Sequence, residues 1–172
     1  LRTRRQRQMC IRDRSQTTHE GIDVCLMSSA LTQTKYRAVI ENYFNKIAPK
    51  ENLTALNTAF CSEGAYIHIK KNKVSKRPIQ IIHFSTFRES ALLLQPRNLI
   101  VVDENAHVQV IERHQSLTEN PTLTNSVTEI FANKRANIDY YKIQNDKSGA
   151  SLIDNTFIDQ QQELSLIHIS EP

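Results

Sequence analysis

The chain has 172 residues, 39% of them hydrophobic and 23% charged, enough for one domain with a real core. Its formal net charge of +4 sits at one end: residues 1–15 hold six arginines against one acid and residues 164–172 hold one acid, which leaves 16–163 neutral. A neutral body without basic–aromatic interleaving argues against nucleic-acid binding, and with no run of about 18 apolar residues nothing reads as a membrane-spanning helix.

Three cysteines, Cys10, Cys25 and Cys61, are an odd number without metal-type spacing and suggest ordinary thiols in a reducing, cytoplasmic compartment. Two segments differ in composition from the body. Met9-Cys10-Ile11-Arg12-Asp13-Arg14-Ser15 and Ser165-Leu166-Ile167-His168-Ile169-Ser170-Glu171-Pro172 resemble translated sequencing-adapter DNA. Residues 1–15 and 164–172 are therefore expected to be non-native and are left out of the fold reading. The remainder is then expected to be an internal fragment, marginal or self-associating through its last coil.

Residues 16–62 are expected to form a strand and two helices that cap the core, the helices covering the open end of the sheet that follows. Gly21 to Leu26 reads as the strand. Tyr36, Val39, Ile40, Tyr43, Phe44 and Ile47 fall at helical spacing, with Thr32 or Thr34 as a start and Pro49 as a stop. Asn52 is placed as the cap of a second helix whose Leu53, Leu56, Ala59 and Phe60 share a face.

Residues 63–163 read as strands joined by short polar turns. Tyr66 to Ile69 alternates, Lys70 to Lys73 is a charged turn, and strands follow at 79–84, 91–94, 98–102, 106–114, 127–131, 136–143 and 152–158. Ile79-Gln80-Ile81-Ile82-His83, Val108-Gln109-Val110-Ile111-Glu112 and Ile138-Asp139-Tyr140-Tyr141-Lys142 share one pattern at spacings of 29 and 30 residues. A repeat of that length marks a solenoid. The expected inward columns are Ile79, Val108 and Ile138, then Ile81, Val110 and Tyr140, with Gln80, Gln109 and Asp139 outward. Ala106 and Ala136, each just after a polar turn, suit tight corners.

Glu112-Arg113-His114 is the densest ionisable cluster. Alternation puts Glu112 and His114 on one face and Arg113 on the other, and the cluster reads as a charged strand end. His83 and Glu112 occupy matching repeat positions and are expected to form at most a cross-strand pair. His68 and His107 are expected to face outward. Asp103, Glu104 and Asp139 are too scattered for a polysaccharide-cleaving site. With only Gly21, Gly64 and Gly149 there is no phosphate loop and no nucleophile elbow.

Within a likeness that covers roughly 21–162, six strings occur in order: Leu56-Asn57-Thr58-Ala59-Phe60, Pro78-Ile79-Gln80-Ile81-Ile82-His83, Gln95-Pro96-Arg97-Asn98-Leu99-Ile100-Val101-Val102, Val110-Ile111-Glu112-Arg113-His114-Gln115-Ser116, Thr124-Asn125-Ser126-Val127-Thr128-Glu129 and Leu152-Ile153-Asp154-Asn155-Thr156. Together they resemble the SufB/SufD family of iron–sulfur cluster assembly scaffolds, the SufD branch more than its SufB paralogue. The resemblance implies a right-handed parallel β-helix and a non-enzymatic subunit that pairs with a SufB-like paralogue and docks on a SufC-like ATPase. It implies an iron–sulfur cluster for the complete complex. The family's cluster-related cysteine and histidine lie late in the β-helix, so no catalytic, cofactor-binding or metal residue is expected in this segment. Nucleic acid and membrane are not expected partners. A carbohydrate-active β-helix enzyme and a generic β-solenoid interaction module are the rival readings.

Overall fold

Alternating apolar residues and short polar turns wind the chain into a mainly β solenoid of about three turns. The computed structural model describes residues 20–48, 51–61, 63–86, 91–161 and 165–171. The arginine-rich segment 1–15 lies outside the described residues. In chain order the elements are β1 (Ile22–Leu26), α1 (Met27–Thr32), α2 (Thr34–Tyr43), α3 (Asn52–Phe60), β2 (Ala65–Ile69), β3 (Ile79–Ser85), β4 (Leu92–Leu94), β5 (Arg97–Val102), β6 (His107–Ser116), β7 (Thr122–Ala132), β8 (Asn137–Asn145), β9 (Ala150–Gln160) and β10 (Ser165–Glu171).

Each coil contributes one strand to each of two parallel sheets. The first sheet runs β1-β2-β5-β7, with β4 also on β7 and β9 on its far side; the second runs β3-β6-β8-β10. β4 and β5 together follow one strand, β7, in a single 30-residue register: Leu92 pairs Thr122 and Arg97 pairs Val127. The first coil starts from a strand that would otherwise show a bare edge. There β1 pairs antiparallel with β2, Ile22 opposite Ile69. An antiparallel strand satisfies the edge amides and blocks further pairing.

Between the sheets, Ile67, Ile69, Ile100, Val102, Ile130, Val108, Val110 and Ile138 form one buried core. In parallel pairs like residues stack on like, so Ile67, Ile100, Ile130 and Ile158 make one column across the four strands β2, β5, β7 and β9. Ala106 and Ala136 are buried at the corners, as expected. The corners also need a left-handed residue, and Asn72, Asn105 and Arg135 take φ of 61°, 56° and 57°. Asparagine tolerates that region better than most residues. Their side chains bond in a row: Asn105 Nδ2 donates to Asn72 Oδ1 at 3.0 Å, and Arg135 Nε donates to Asn105 Oδ1 at 2.6 Å.

Two expectations about the N-terminal region change. The helices cover the outer face of the first sheet, not the open end of the solenoid, where β1 lies instead. Met27, Ala30 and Tyr36, backed by Val39, Ile40, Tyr43, Phe44 and Ile47, pack on Tyr66, Leu99, Val101 and Phe131. Tyr36, Val39, Ile40 and Tyr43 form the apolar stripe of α2, but the helix ends at Tyr43, well before Pro49, so Phe44 and Ile47 reach the same cluster from the segment that follows it; what they meet is the outward side of alternating strands that are apolar on both faces. Second, α3 turns the other way. Thr54 and Asn57 are buried, while Leu53 is 44% and Phe60 67% exposed. Asn57 Nδ2 donates to the carbonyls of Pro96 (2.9 Å) and Asn125 (2.7 Å), which gives the buried amide its partners. Neither helix has a side-chain cap bond: Gln33 precedes α2, and Glu51 rather than Asn52 is the N-cap of α3. Helix α1 was not foreseen.

The register of the first coil also differs from the expected columns. Ile79 stacks on Val110 and Tyr140, and Ile81 on Glu112 and Lys142. The offset from β3 to β6 is 31 residues, two more than the string match gave, whereas β6 to β8 keeps the expected 30. Alternation has a period of two, so a slip of two leaves the pattern intact. β10, in the segment set aside by composition, pairs parallel with β8 over seven residues.

The seam between the first two coils turns on Gly64. Its φ is +124°, and a Cβ there would lie 2.0 Å from the carbonyl oxygen of Arg97. Both the conformation and the contact exclude a side chain. Gly64→Ala is expected to destabilise by about 3 kcal/mol or more, combining backbone strain with overpacking. Urea unfolding reads this, and a loss below about 1 kcal/mol would refute the close approach.

Candidate functional site

Along β6 every second residue points between the sheets: Val108, Val110, Glu112, His114 and Ser116 are buried. The interior therefore changes character along one strand, from aliphatic to ionisable. The neighbouring strands change with it. β3 brings His83, β8 brings Tyr140 and Lys142, and the first sheet faces them with Asn98, Thr128 and Thr156.

Glu112 is the centre. Its side chain is fully buried. Oε1 accepts from Asn98 Nδ2 at 2.8 Å and pairs with His83 Nε2 at 2.9 Å, while Oε2 accepts from the Tyr140 hydroxyl. Asn98 is itself saturated, donating to Thr128 Oγ1 at 3.0 Å and accepting from the Ala65 amide at 2.9 Å. Lys142 Nζ is 3.8 Å from Glu112 Oε2, but its hydrogen bonds go to Asp154 and to Thr156 Oγ1 at 2.9 Å.

Burial by itself would raise the Glu112 carboxyl. The imidazoles of His114 and His83 and the charge of Lys142 outweigh it and hold the group well below the usual carboxylate range. Glu112 is thus ionised and only accepts, so His83 carries its proton on Nε2. The Tyr140 hydroxyl is pushed well above its ordinary value by burial and by the Glu112 charge, and stays a neutral donor.

His114 lies beside His83 in register, their rings stacked at 4.6 Å with 19° between planes. Its Nε2 is 3.3 Å from Glu112 Oε1 but off the line of a hydrogen bond, and that buried nitrogen has no hydrogen-bond partner. The three ligand atoms of His83, Glu112 and His114 lie within 4.8 Å of one another.

This corrects the reading of Glu112-Arg113-His114 as a charged strand end. The faces were assigned rightly, Glu112 and His114 together and Arg113 opposite, but the shared face is the interior. His83 and Glu112 do meet, though through the two-residue shift in register. His68 is buried rather than outward, its Nε2 2.9 Å from Asp103 Oδ2. His107 is partly buried. Asp103 also accepts from Asn133, and Glu104 bonds Lys71 and Arg135, so this acid pair serves the corner ladder. The signal that could have found the cluster was available: His83, Glu112, His114, Tyr140 and Lys142 all keep the parity of the core residues of their own strands.

A parallel β-solenoid flanked by a helical layer, with an ionisable centre inside its coils, defines the class of protein. Comparison with known proteins narrows it. The family described as SUF system FeS cluster assembly, SufBD core domain, matches residues 83–170, and the SufBD protein N-terminal region matches residues 8–81. The chain belongs to the SufBD family of iron–sulfur cluster assembly proteins. It is 28% identical over 136 residues to an iron–sulfur cluster assembly SufBD family protein of Synechocystis, covering 74% of this chain and 30% of that protein. It is 29% identical over 118 residues to the iron–sulfur cluster assembly protein SufD of Bacillus subtilis, covering 66% and 26%. A chloroplastic SufBD family protein of Arabidopsis thaliana is 29% identical over 140 residues, covering 75% and 24%. The chain thus spans under a third of the length of these curated relatives. No helix among the described residues is long and apolar enough to cross a membrane.

Proposed function

We propose that this chain belongs to a non-catalytic, SufD-like scaffold subunit that acts in the cytoplasm in iron–sulfur cluster assembly. It pairs with a SufB-like paralogue and docks on an ABC-type SufC-like ATPase, which supplies the hydrolysis, and the cluster is the cargo of the complex. The observation that carries this reading is the SufBD core match over 83–170, which coincides with the stacked coils from β3 to β10. The 29% identity to a SufD supports the SufD side of the pair. Against the carbohydrate-enzyme rival, the acids Asp103 and Glu104 are engaged in side-chain bonds at the solenoid corner rather than presented together to solvent.

The test is co-purification of the complete parent protein with the SufC-like ATPase of its own genome. A stable complex that also retains a SufB-like partner is expected. No binding where a control SufB–SufC pair binds would overturn the reading, and turnover on a polysaccharide panel would favour the rival.

A further inference from the structure

We propose that His83, Glu112 and His114 form a binding site for one divalent first-row transition ion. Two imidazole nitrogens and one carboxylate oxygen are a ligand set that suits Zn2+ and Fe2+ and leaves at least one coordination position for water or another ligand. This inference stands on geometry alone and does not depend on the scaffold reading. It sets a metal against the expectation of none in this segment.

Four observations support it. The three ligand atoms are within 4.8 Å of one another, so modest side-chain rotations bring them around one ion. The Nε2 of His114 is buried 3.3 Å from Glu112 Oε1 without an aligned hydrogen bond, a cost that coordination removes. The carboxylate is already oriented by bonds from Asn98 and Tyr140, the outer-shell arrangement that metal-binding carboxylates require. The nearest cation, Lys142, gives its hydrogen bonds to Asp154 and Thr156 and stays 3.8 Å from Glu112 Oε2, so it does not occupy the carboxylate's lone pairs.

The position in the fold allows entry. β3 is the edge of the second sheet, and the His83 side chain there is 17% exposed while Glu112 and His114 lie behind it. In the metal-free form the His83 Nε2 proton lies between the imidazole and Glu112. Binding puts the ion in that proton's place at Nε2, and the neutral imidazole keeps its proton as the Nδ1 tautomer. The stacked rings splay about their Cβ–Cγ bonds so that both Nε2 atoms converge.

The experiment strips the full chain with a chelator and titrates it with Zn2+ against a chromophoric competitor, then with Co2+ followed by X-ray absorption. One ion per chain is expected, in a nitrogen/oxygen shell containing two imidazoles. His83→Gln is expected to weaken Zn2+ binding by more than about tenfold, His114→Gln likewise, and Tyr140→Phe by roughly tenfold through the outer shell. His83→Gln lies on an edge strand, so it decides the matter if His114→Gln fails to fold. The X-ray absorption of the unmodified chain decides it if neither folds. No stoichiometric binding, unchanged affinity in His83→Gln, or a shell containing sulfur from Cys10, Cys25 or Cys61 would each overturn the site.

Discussion

Glu112→Leu is expected to destabilise the chain by about 3–5 kcal/mol, the range for removing one partner of a buried charge network. One carboxylate serves Asn98, Tyr140 and His83 at once, so its loss removes three acceptor contacts in a place that water does not reach. For a domain of this size the midpoint of thermal unfolding should fall by roughly 6–20 °C. Glu112→Gln keeps an oxygen and the volume and should cost less. Acid unfolding separates charge from packing. The folded carboxyl is held well below its ordinary range, so from about pH 4.3 downward the unfolded chain takes up a proton that the folded chain refuses. The stability due to Glu112 is therefore present above that pH and is lost progressively as pH falls toward the folded value. The gap between the unmodified chain and Glu112→Gln should narrow below about pH 4. Parallel stability curves for the two proteins down to pH 3 would refute the charge assignment.

The strands were legible because alternation and polar turns are local signals. The corners at Asp103-Glu104-Asn105 and Asn133-Lys134-Arg135 were legible because the residues that tolerate a left-handed backbone or terminate a strand are few. The interior site was not. Glu112, His114 and Lys142 sit at core parity, yet a charged residue on a strand is read as outward unless its partners are known, and here those partners come from four other strands. The two-residue shift between β3 and β6 hid the stacking of His83 on His114 as well, since Ile81, not His83, stands directly opposite Glu112. The orientation of α3 was illegible for the same reason. Asn57 is drawn inward by the carbonyls of Pro96 and Asn125, and nothing within α3 announces them. Local periodicity thus gives the elements, while the buried Glu112, Lys142 and Glu129 are decided by contacts 12 to 84 residues apart.

Glu129 shows how far such a contact reaches. It lies on the outward side of β7, fully buried beneath the helical layer, and pairs with the equally buried Arg97 at 2.7 Å. Its carboxylate also accepts from the backbone amides of Asn45 (2.8 Å), Ile47 (3.2 Å) and Ala48 (3.3 Å), which follow α2. Arg97 in turn donates to Asn45 Oδ1 at 3.2 Å and lies 5.2 Å from the Phe44 ring centroid. One ion pair thus ties the helical layer to two coils of the solenoid. Glu129→Ala and Arg97→Ala are each expected to cost about 3–5 kcal/mol, because each strands a buried charge. They should differ in where the loss appears. Only Glu129→Ala removes the acceptor for three amides, so hydrogen exchange at Asn45, Ile47 and Ala48 should speed up more in that variant than in Arg97→Ala at matched global stability. The pair Arg97→Met with Glu129→Leu should recover part of the stability, since well-packed apolar residues often replace a buried ion pair at little cost. It should not restore protection of those amides. Equal exchange in all three variants would mean that the helical layer is held by its apolar face alone, by Tyr36, Tyr43 and Phe44 against Tyr66, Leu99 and Phe131, and that the ion pair serves only the solenoid.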